Sequence, residues 1–226
     1  MQTFELVTKE LKYARYTPLL YFPGQLSLRE KQSQKNMSGF MKVLLVKRLE
    51  SSFFAFRRSV DRFILSYEKF INEYEKGNVY ISKKYINKIF ELLEQDDDEA
   101  EEKIQELVSE GKAKKYESSQ FDKDLENDLR KDIEILKRIK SMWKTIERDP
   151  KLETLLENLK NHQILKNNKL ILFTESKETA EYLAENINRE IGNIALLFHG
   201  NSPENIKDKV IENFDAKAKY RKDDYR

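Results

Sequence analysis

Apolar residues recur at alternating spacings of four and three between positions 49 and 74 of the chain. The positions are Leu49, Phe53, Phe56, Val60, Phe63, Tyr67, Phe70 and Tyr74. This heptad pattern predicts one long helix from about Gly39 to Gly77, with an apolar seam that must meet another helix. Residues 121–146 carry a similar pattern, interrupted only by the polar Asp132. We therefore expect these two segments to pack as long antiparallel arms.

Helix signals continue on both sides of the second arm. Asp149 followed by Pro150 is typical of a helix start and predicts a third helix there. Two shorter helices are predicted at 85–93 and 100–110. These elements predict a helical bundle over residues 42–166.

The first 41 residues are predicted to form an irregular lead-in. A short helix is expected at 3–13. Pro18, Pro23 and Gly24 then interrupt regular structure, and the polar stretch 27–38 predicts a surface loop.

The periodicity changes after residue 166. Two short apolar runs, 169–174 and 194–198, are typical of buried strands, and each precedes a predicted helix. Ser202 and Pro203 predict the start of the last helix. The expected fold class is therefore mostly α with a small α/β part: a long-helix bundle followed, over residues 167–226, by a partial parallel β-α-β-α unit.

Composition narrows the possible functions. Of 226 residues, 36% are charged, none is Cys and two are His, which excludes disulfide scaffolds, zinc fingers, iron–sulfur clusters and thiol nucleophiles. No apolar run is long enough for a membrane span and no secretory signal is visible, so we expect a cytoplasmic protein without membrane contact. Residues 1–90 carry net charge +9 and residues 91–110 carry net charge −9. The basic part is consistent with phosphate binding and equally with ordinary solvated helix faces.

Sequence motifs for a self-contained enzyme are absent. The phosphate-binding pattern G-x-x-x-x-G-K-[ST], the G-x-S-x-G elbow and H-E-x-x-H do not occur. The D-E-A-E run at 98–101 follows acidic residues rather than an apolar strand, which indicates an acidic helix start. We expect no catalytic residue and no metal ligand in this chain. The loops 174–177 and 199–202 should lie at one sheet edge, where helix N-termini suit phosphate, although simple N-capping explains the same residues.

Three ordered segments resemble a known family. Residues 41–57, with K-R-L-E-S-S at 47–52, are similar to the lobe-junction region of bacterial Swi/Snf-like helicases of superfamily two. Residues 169–183, K-L-I-L-F-T-E-S-K-E-T-A-E-Y-L, resemble motif IV of their second RecA-like lobe. L-L-F-H-G at 196–200 and I-E-N-F-D at 211–215 resemble the strand and helix that follow.

The resemblance implies a fragment of an ATP-dependent DNA helicase or translocase, holding a helical insertion and the first part of the C-terminal RecA-like lobe. It implies duplex DNA as partner. ATP and Mg²⁺ would be bound by an N-terminal ATPase lobe that this chain lacks, so the chain alone should be inactive. The implied nucleic-acid contacts are Thr174, Ser176, Lys177, Gly200 and Asn201. The implied lobe-junction residues are Lys47, Arg48, Glu50, Ser51 and Ser52. A possible basic face comprises Arg57, Arg58 and Arg62.

An alternative function of another class is supported by the heptad seam alone. The chain would then be a non-enzymatic helical interaction module with a small α/β appendage that binds a protein partner.

Overall fold

The structure, a computed structural model, describes residues 2–81, 114–146, 148–174, 176–215, 217, 218, 222, 224 and 225. The chain divides into two compact units, Met1–Ile146 and Glu147–Arg226. The predicted helix after Asp149 therefore lies in the second unit. The boundary expected at residue 166 stays a prediction.

The described elements are mainly helices. The first unit contains α1 (Gln2–Glu5), α2 (Leu28–Ser51), α3 (Phe53–Glu75), β1 (Asn78–Ile81), β2 (Lys114–Glu117) and α4 (Lys123–Lys144). Short helical turns at Leu6–Glu10, Ala14–Tyr16, Pro18–Tyr21 and Ser118–Gln120 join them. The second unit contains α5 (Pro150–Asn161), α6 (Gln163–Asn167), α7 (Lys177–Glu190) and α8 (Glu204–Phe214). The mostly helical fold class is confirmed, whereas the RecA-like β-α-β-α unit is not formed among the described residues.

The polar stretch 27–38, predicted to be a loop, is helical from Leu28 onward. Ser27 caps α2: its Oγ accepts from the N–H of Glu30, and the Glu30 carboxylate accepts from the N–H of Ser27. Such a capping box satisfies amides that would otherwise lack partners. The prediction failed because most of this stretch forms the solvent side of a helix, whose buried positions are only Gln34, Met37, Met41 and Leu45.

The long helix expected from Gly39 to Gly77 is two helices that meet at Ser52. Ser52 has an extended backbone, with φ −155° and ψ 136°, and its N–H donates to the Arg48 carbonyl at the end of α2. Its Oγ accepts from the N–H of Ala55, 3.4 Å away, at the start of α3. A serine hydroxyl that serves the next helix turn as a cap favours a break over a continuous helix.

The pairing of the two predicted arms is confirmed for α3 and α4. The α3 side chains buried in the core of the first unit include Phe56, Val60, Phe63, Tyr67 and Phe70. The α4 side chains buried there are Leu125, Leu129, Leu136, Ile139 and Trp143. The lead-in expected to be irregular also contributes core residues: Leu6, Val7, Leu11, Tyr13, Ala14 and Leu19.

A two-stranded antiparallel sheet follows α3 and was not predicted. Gly77, expected to end the helix, has φ +86° and lies directly before β1. β1 pairs with β2 in a register that places Asn78 opposite Glu117. The predicted helices at 85–93 and 100–110 and the D-E-A-E run lie outside the described residues.

In the second unit the predicted helix starts are mostly confirmed. The Asp149 carboxylate accepts from the N–H groups of Lys151 and Leu152, and Pro150 occupies the first turn of α5. The same carboxylate accepts from the hydroxyl of Tyr182 on α7, 3.2 Å away. Leu159 of α5 and Ile187 of α7 are buried.

The predicted strands 169–174 and 194–198 do not form strands in the described structure. Their apolar side chains are partly in solvent: Phe173 is 92% exposed, Ile171 65% and Phe198 48%. Ala195 instead exchanges hydrogen bonds with the side-chain amide of Asn188, at 2.8 and 3.0 Å. Parallel strands need neighbouring strands and cover on both faces, and two short apolar runs cannot supply these for one another.

Candidate nucleic-acid interface

The loop before α7 and the first residue of that helix hold three of the expected phosphate-binding residues. Ser176 caps α7, because its Oγ accepts from the N–H of Thr179 at 3.1 Å, and it is 2% exposed. Thr174 Oγ1 donates to the Ser176 carbonyl at 2.6 Å and accepts from the Ser176 N–H at 3.2 Å. Glu175 lies outside the described residues. Both hydroxyls are thus engaged in shaping the loop.

Lys177 is the first residue of α7 and the cation next to this loop. Its side chain is 36% exposed, and its Nζ lies 3.9 Å from a carboxylate oxygen of Glu181 one helical turn on. An exposed pair at that distance contributes little and is readily exchanged for another anion. Lys177 is therefore the residue here best placed to meet a phosphate.

The second expected loop, at residues 199–202, is a compact turn. The N–H of His199 donates to Ser202 Oγ at 2.9 Å, and the N–H of Ser202 returns to the His199 carbonyl at 2.9 Å. The N–H of Asn201 donates to His199 Nδ1 at 3.2 Å. Gly200 and Asn201 are exposed. Ser202 was expected to cap the last helix, but α8 begins at Glu204 with Pro203 at its cap position, and the hydroxyl of Ser202 closes the turn instead.

The sequence placed these two loops at one edge of a parallel sheet. That sheet is not formed among the described residues, so the edge that would align the loops is absent there. The hydrogen bonds of each loop described above stay within the loop and the helix that follows it. The joint phosphate edge stays a prediction.

The K-R-L-E-S-S residues form the junction between α2 and α3. Lys47 and Glu50 are exposed near the end of α2, whereas Arg48 and Ser51 are half-buried. Ser52 is buried at the break itself. The motif thus shapes a corner of the first unit, and its role at a junction of motor lobes stays a prediction.

The three arginines of α3 do not share one exposed face. Arg58 is exposed and its guanidinium lies 5.7 Å from the centre of the Phe54 ring. Arg62 is half-buried and donates to Ser59 Oγ at 3.4 Å. Arg57 is half-buried, and its Nε is enclosed without a hydrogen-bond partner among the described residues. Spacing on α3 places Arg58 and Arg62 together and separates Arg57 from them.

Asp132 is the polar residue that interrupts the apolar pattern of 121–146, and the sequence alone gave no reason for it. Its carboxylate is completely buried and accepts three hydrogen bonds. The donors are the N–H of Lys12 at 2.7 Å, the N–H of Ala14 at 2.9 Å and the hydroxyl of Tyr67 at 2.8 Å. The only sequence signal was an acid at an apolar position of the seam.

The Asp132 carboxylate holds the N-terminal segment in an unusual conformation. Between its two backbone donors lies Tyr13, which has φ +59° in the left-handed region. A non-glycine residue adopts that region only when its surroundings enforce it. Burial raises the pKa of Asp132 above its ordinary value, and the bonds from Ala14, Lys12 and Tyr67 offset part of that rise. The arrangement supports the fold of the first unit.

The described ranges offer neither a metal site of clustered side chains nor a membrane-spanning helix. Those residues contain no group of three or more His, Cys, Asp or Glu side chains suited to a metal ion. No helix among them has the length and apolarity needed to cross a bilayer. Comparison with protein-family models, curated proteins and solved structures finds no match to this chain.

Proposed function

We propose that this chain contributes part of the second motor lobe, together with a helical insertion, to an ATP-dependent DNA translocase of the Swi/Snf-like branch of superfamily two. The sequence patterns at 41–57, 169–183 and 196–215 occur in the order expected for that lobe. Each pattern alone has little specificity, and the order of the three supports the proposal.

The observation that carries the proposal is the exposure of apolar residues in the second unit. Ile171, Leu172 and Phe173 are 65%, 47% and 92% exposed. Full burial of each such side chain is worth about 1.5–3 kcal/mol, so their exposure forgoes substantial stabilisation. Strands contributed by the rest of a motor lobe would cover this segment on both faces, as parallel sheets require.

The residues of this chain do not fit a nucleotide site. The sequence lacks the glycine-rich loop and lysine that cradle the phosphates of ATP. In the proposed motor, ATP and Mg²⁺ are bound by the partner lobe that carries this loop. The present chain supplies nucleic-acid contacts and no step of the hydrolysis.

Roles within the proposed contact differ from residue to residue. Lys177 provides positive charge to a backbone phosphate, and Gly200 and Asn201 offer polar groups at an exposed turn. Ser176 and Thr174 position the loop through the hydrogen bonds described above. Ser176 is therefore a positioning residue rather than a direct contact.

The isolated chain is expected to show no ATPase activity, because its sequence lacks the glycine-rich loop and lysine that cradle the phosphates of ATP. Phosphate release is measured with and without duplex DNA against a protein-free blank. DNA-stimulated release that a substitution in this chain abolishes would contradict the assignment.

In the motor formed with the ATPase lobe, replacing Thr174 and Lys177 together by Ala is expected to lower DNA-stimulated turnover about tenfold. Loss of one charge-assisted contact accounts for a change of that size. The DNA-free rate should change much less. Deletion of 94–102 is the control and should leave DNA affinity unchanged or slightly higher, because this segment is strongly acidic.

The interaction-module alternative is favoured by one observation. The first unit closes its own core between α3 and α4 and links their surfaces by ion pairs such as Lys137–Glu68, at 2.8 Å. The alternative would be supported if the ATPase lobe hydrolysed ATP at the same DNA-stimulated rate with and without this chain, and if the double substitution changed nothing.

A further inference from the structure

Helix α2 is the most basic long helix of the first unit. Its 24 residues contain six Lys or Arg and two Glu, for a net charge of +4. Its N-terminal half lies in the stretch 27–38, which was predicted to be a loop without a function. Because the structure makes this stretch helical, its charged side chains acquire a defined spacing.

Three basic residues of α4 have carboxylate partners, whereas three lysines of α2 have none among the described residues. Lys137 pairs with Glu68 at 2.8 Å, Lys140 with Asp61 at 2.7 Å and Arg130 with Glu75 at 2.8 Å. Within the described part of the chain, no ion pair or side-chain hydrogen bond engages the ammonium groups of Lys31, Lys35 and Lys42 on α2. This contrast leaves a strip of uncompensated positive charge on one helix.

These three lysines lie on one side of α2, and we call them the lysine stripe. Their spacings of four and seven residues correspond to one and two helical turns, about 6 and 10 Å along the axis. The buried residues Met37 and Met41 occupy a different side. Gly39 lies near the stripe, and a Cβ added there would meet no atom within 4 Å, so the helix surface is open.

We propose that the lysine stripe binds the phosphate backbone of duplex DNA without reading base sequence. Lysine ammonium groups on flexible stems suit point contacts with phosphates and offer no bidentate base recognition. The stripe contains no aromatic side chain on which unpaired bases could stack, which favours a duplex over a single strand. The choice of DNA over another polyanion rests on the proposed function. The unpaired charge of the three lysines is an observation that is independent of it.

The test uses the whole 226-residue chain and a fluorescent 20-base-pair duplex, with anisotropy recorded over a range of salt concentrations. One variant carries Lys31→Gln, Lys35→Gln and Lys42→Gln. The matched control carries Lys9→Gln, Lys137→Gln and Lys140→Gln, which removes the same charge from lysines that already have carboxylate partners. Circular dichroism verifies that both variants retain the helical content of the wild type.

The stripe variant is expected to bind the duplex at least about tenfold more weakly at low salt. The slope of log affinity against log salt should fall in magnitude by about 2–3, since each lost phosphate contact contributes about 0.9. The control should stay within about twofold of the wild type. Equal losses of DNA affinity in both variants would mean that only the net charge matters, and would overturn the proposal. An unchanged DNA affinity of the stripe variant would overturn it too.

Two further arms separate this proposal from the proposed function. Polyglutamate competing as well as duplex DNA at equal charge would assign the stripe to an acidic protein and overturn the DNA assignment. DNA-stimulated turnover of the assembled motor is measured on the same stripe variant. If the stripe variant shows normal turnover and no loss of DNA affinity, only the proposal that the stripe binds DNA is overturned. If the variant loses DNA affinity but DNA never stimulates the assembled motor, the stripe proposal stands and the proposed motor function is overturned.

Discussion

Replacing Phe56 by Ala is expected to lower the free energy of unfolding of the first unit by about 3–5 kcal/mol. The Phe56 ring is completely buried, and its centre lies 4.9 Å from that of Trp143 on α4. Truncation removes this ring contact and leaves a cavity between α3 and α4 that well-packed neighbours cannot fill. Urea denaturation followed by circular dichroism and by Trp fluorescence measures the change.

The control for this experiment is Leu65→Ala on the same helix. Leu65 is 52% exposed, so its truncation should change stability by less than about 1 kcal/mol. An effect of Phe56→Ala as small as that of the control would mean that the seam does not pack as described.

Replacing Asp132 by Asn is expected to cost about 2–4 kcal/mol, because the amide replaces one acceptor oxygen by an NH2 donor. Three donors point at the carboxylate, from Lys12, Ala14 and Tyr67, and the amide oxygen cannot serve them all. Asp128→Asn is the matched control. Asp128 is half-buried and accepts one hydroxyl bond, from Tyr21 at 2.8 Å, so its substitution should cost less.

A double-mutant cycle with Tyr67→Phe tests whether the hydroxyl and the carboxylate act together. The single Tyr67→Phe change should cost about 1.5–3 kcal/mol, the usual value for a hydrogen bond to a charged group. The double variant should lose less than the sum of the two single losses. Strict additivity would contradict the shared bond.

The pH dependence of the unfolding free energy of wild type and Asp132→Asn follows from the pKa of Asp132. Because burial raises this pKa in the folded state, the folded protein binds the proton more tightly than the unfolded chain does. The contribution of Asp132 to stability is therefore greatest at acidic pH and decreases as pH rises through the native pKa. The difference in unfolding free energy between wild type and Asp132→Asn should grow as pH is lowered from neutrality. A difference that shrinks would contradict the stated direction.

The helix pair α3–α4 was predictable because its information is local and repeated. Seam residues such as Phe56 and Leu129 recur at helical spacing, and long apolar stripes must be buried somewhere. Caps at Asp149 and Ser176 were also predictable, since a capping side chain bonds amides only two or three residues away. The same kind of local signal at Ser27 and Ser52 was present in the sequence, but polar composition and the continuous heptad spacing outweighed it.

The candidate site was less predictable from sequence. Thr174 and Ser176 were correctly placed before a helix that begins at Lys177, but their hydroxyls turned out to be occupied by neighbouring backbone groups. The lysine stripe could not be recognised while its residues were assigned to a loop. Spacing carries information about a shared face only once the backbone conformation is known.

The sequence by itself determined the helical character, the pairing seam, most helix starts and the absence of a nucleotide-binding loop. Only the tertiary structure decided where Asp132 finds its donors, which lie about 120 residues away at Lys12 and Ala14. It also decided that 169–174 does not become a strand and that residues 171–173 remain exposed. The physical reason is that helix hydrogen bonds and caps close within a few residues, whereas a buried carboxylate and a parallel strand each need partners from distant parts of a chain.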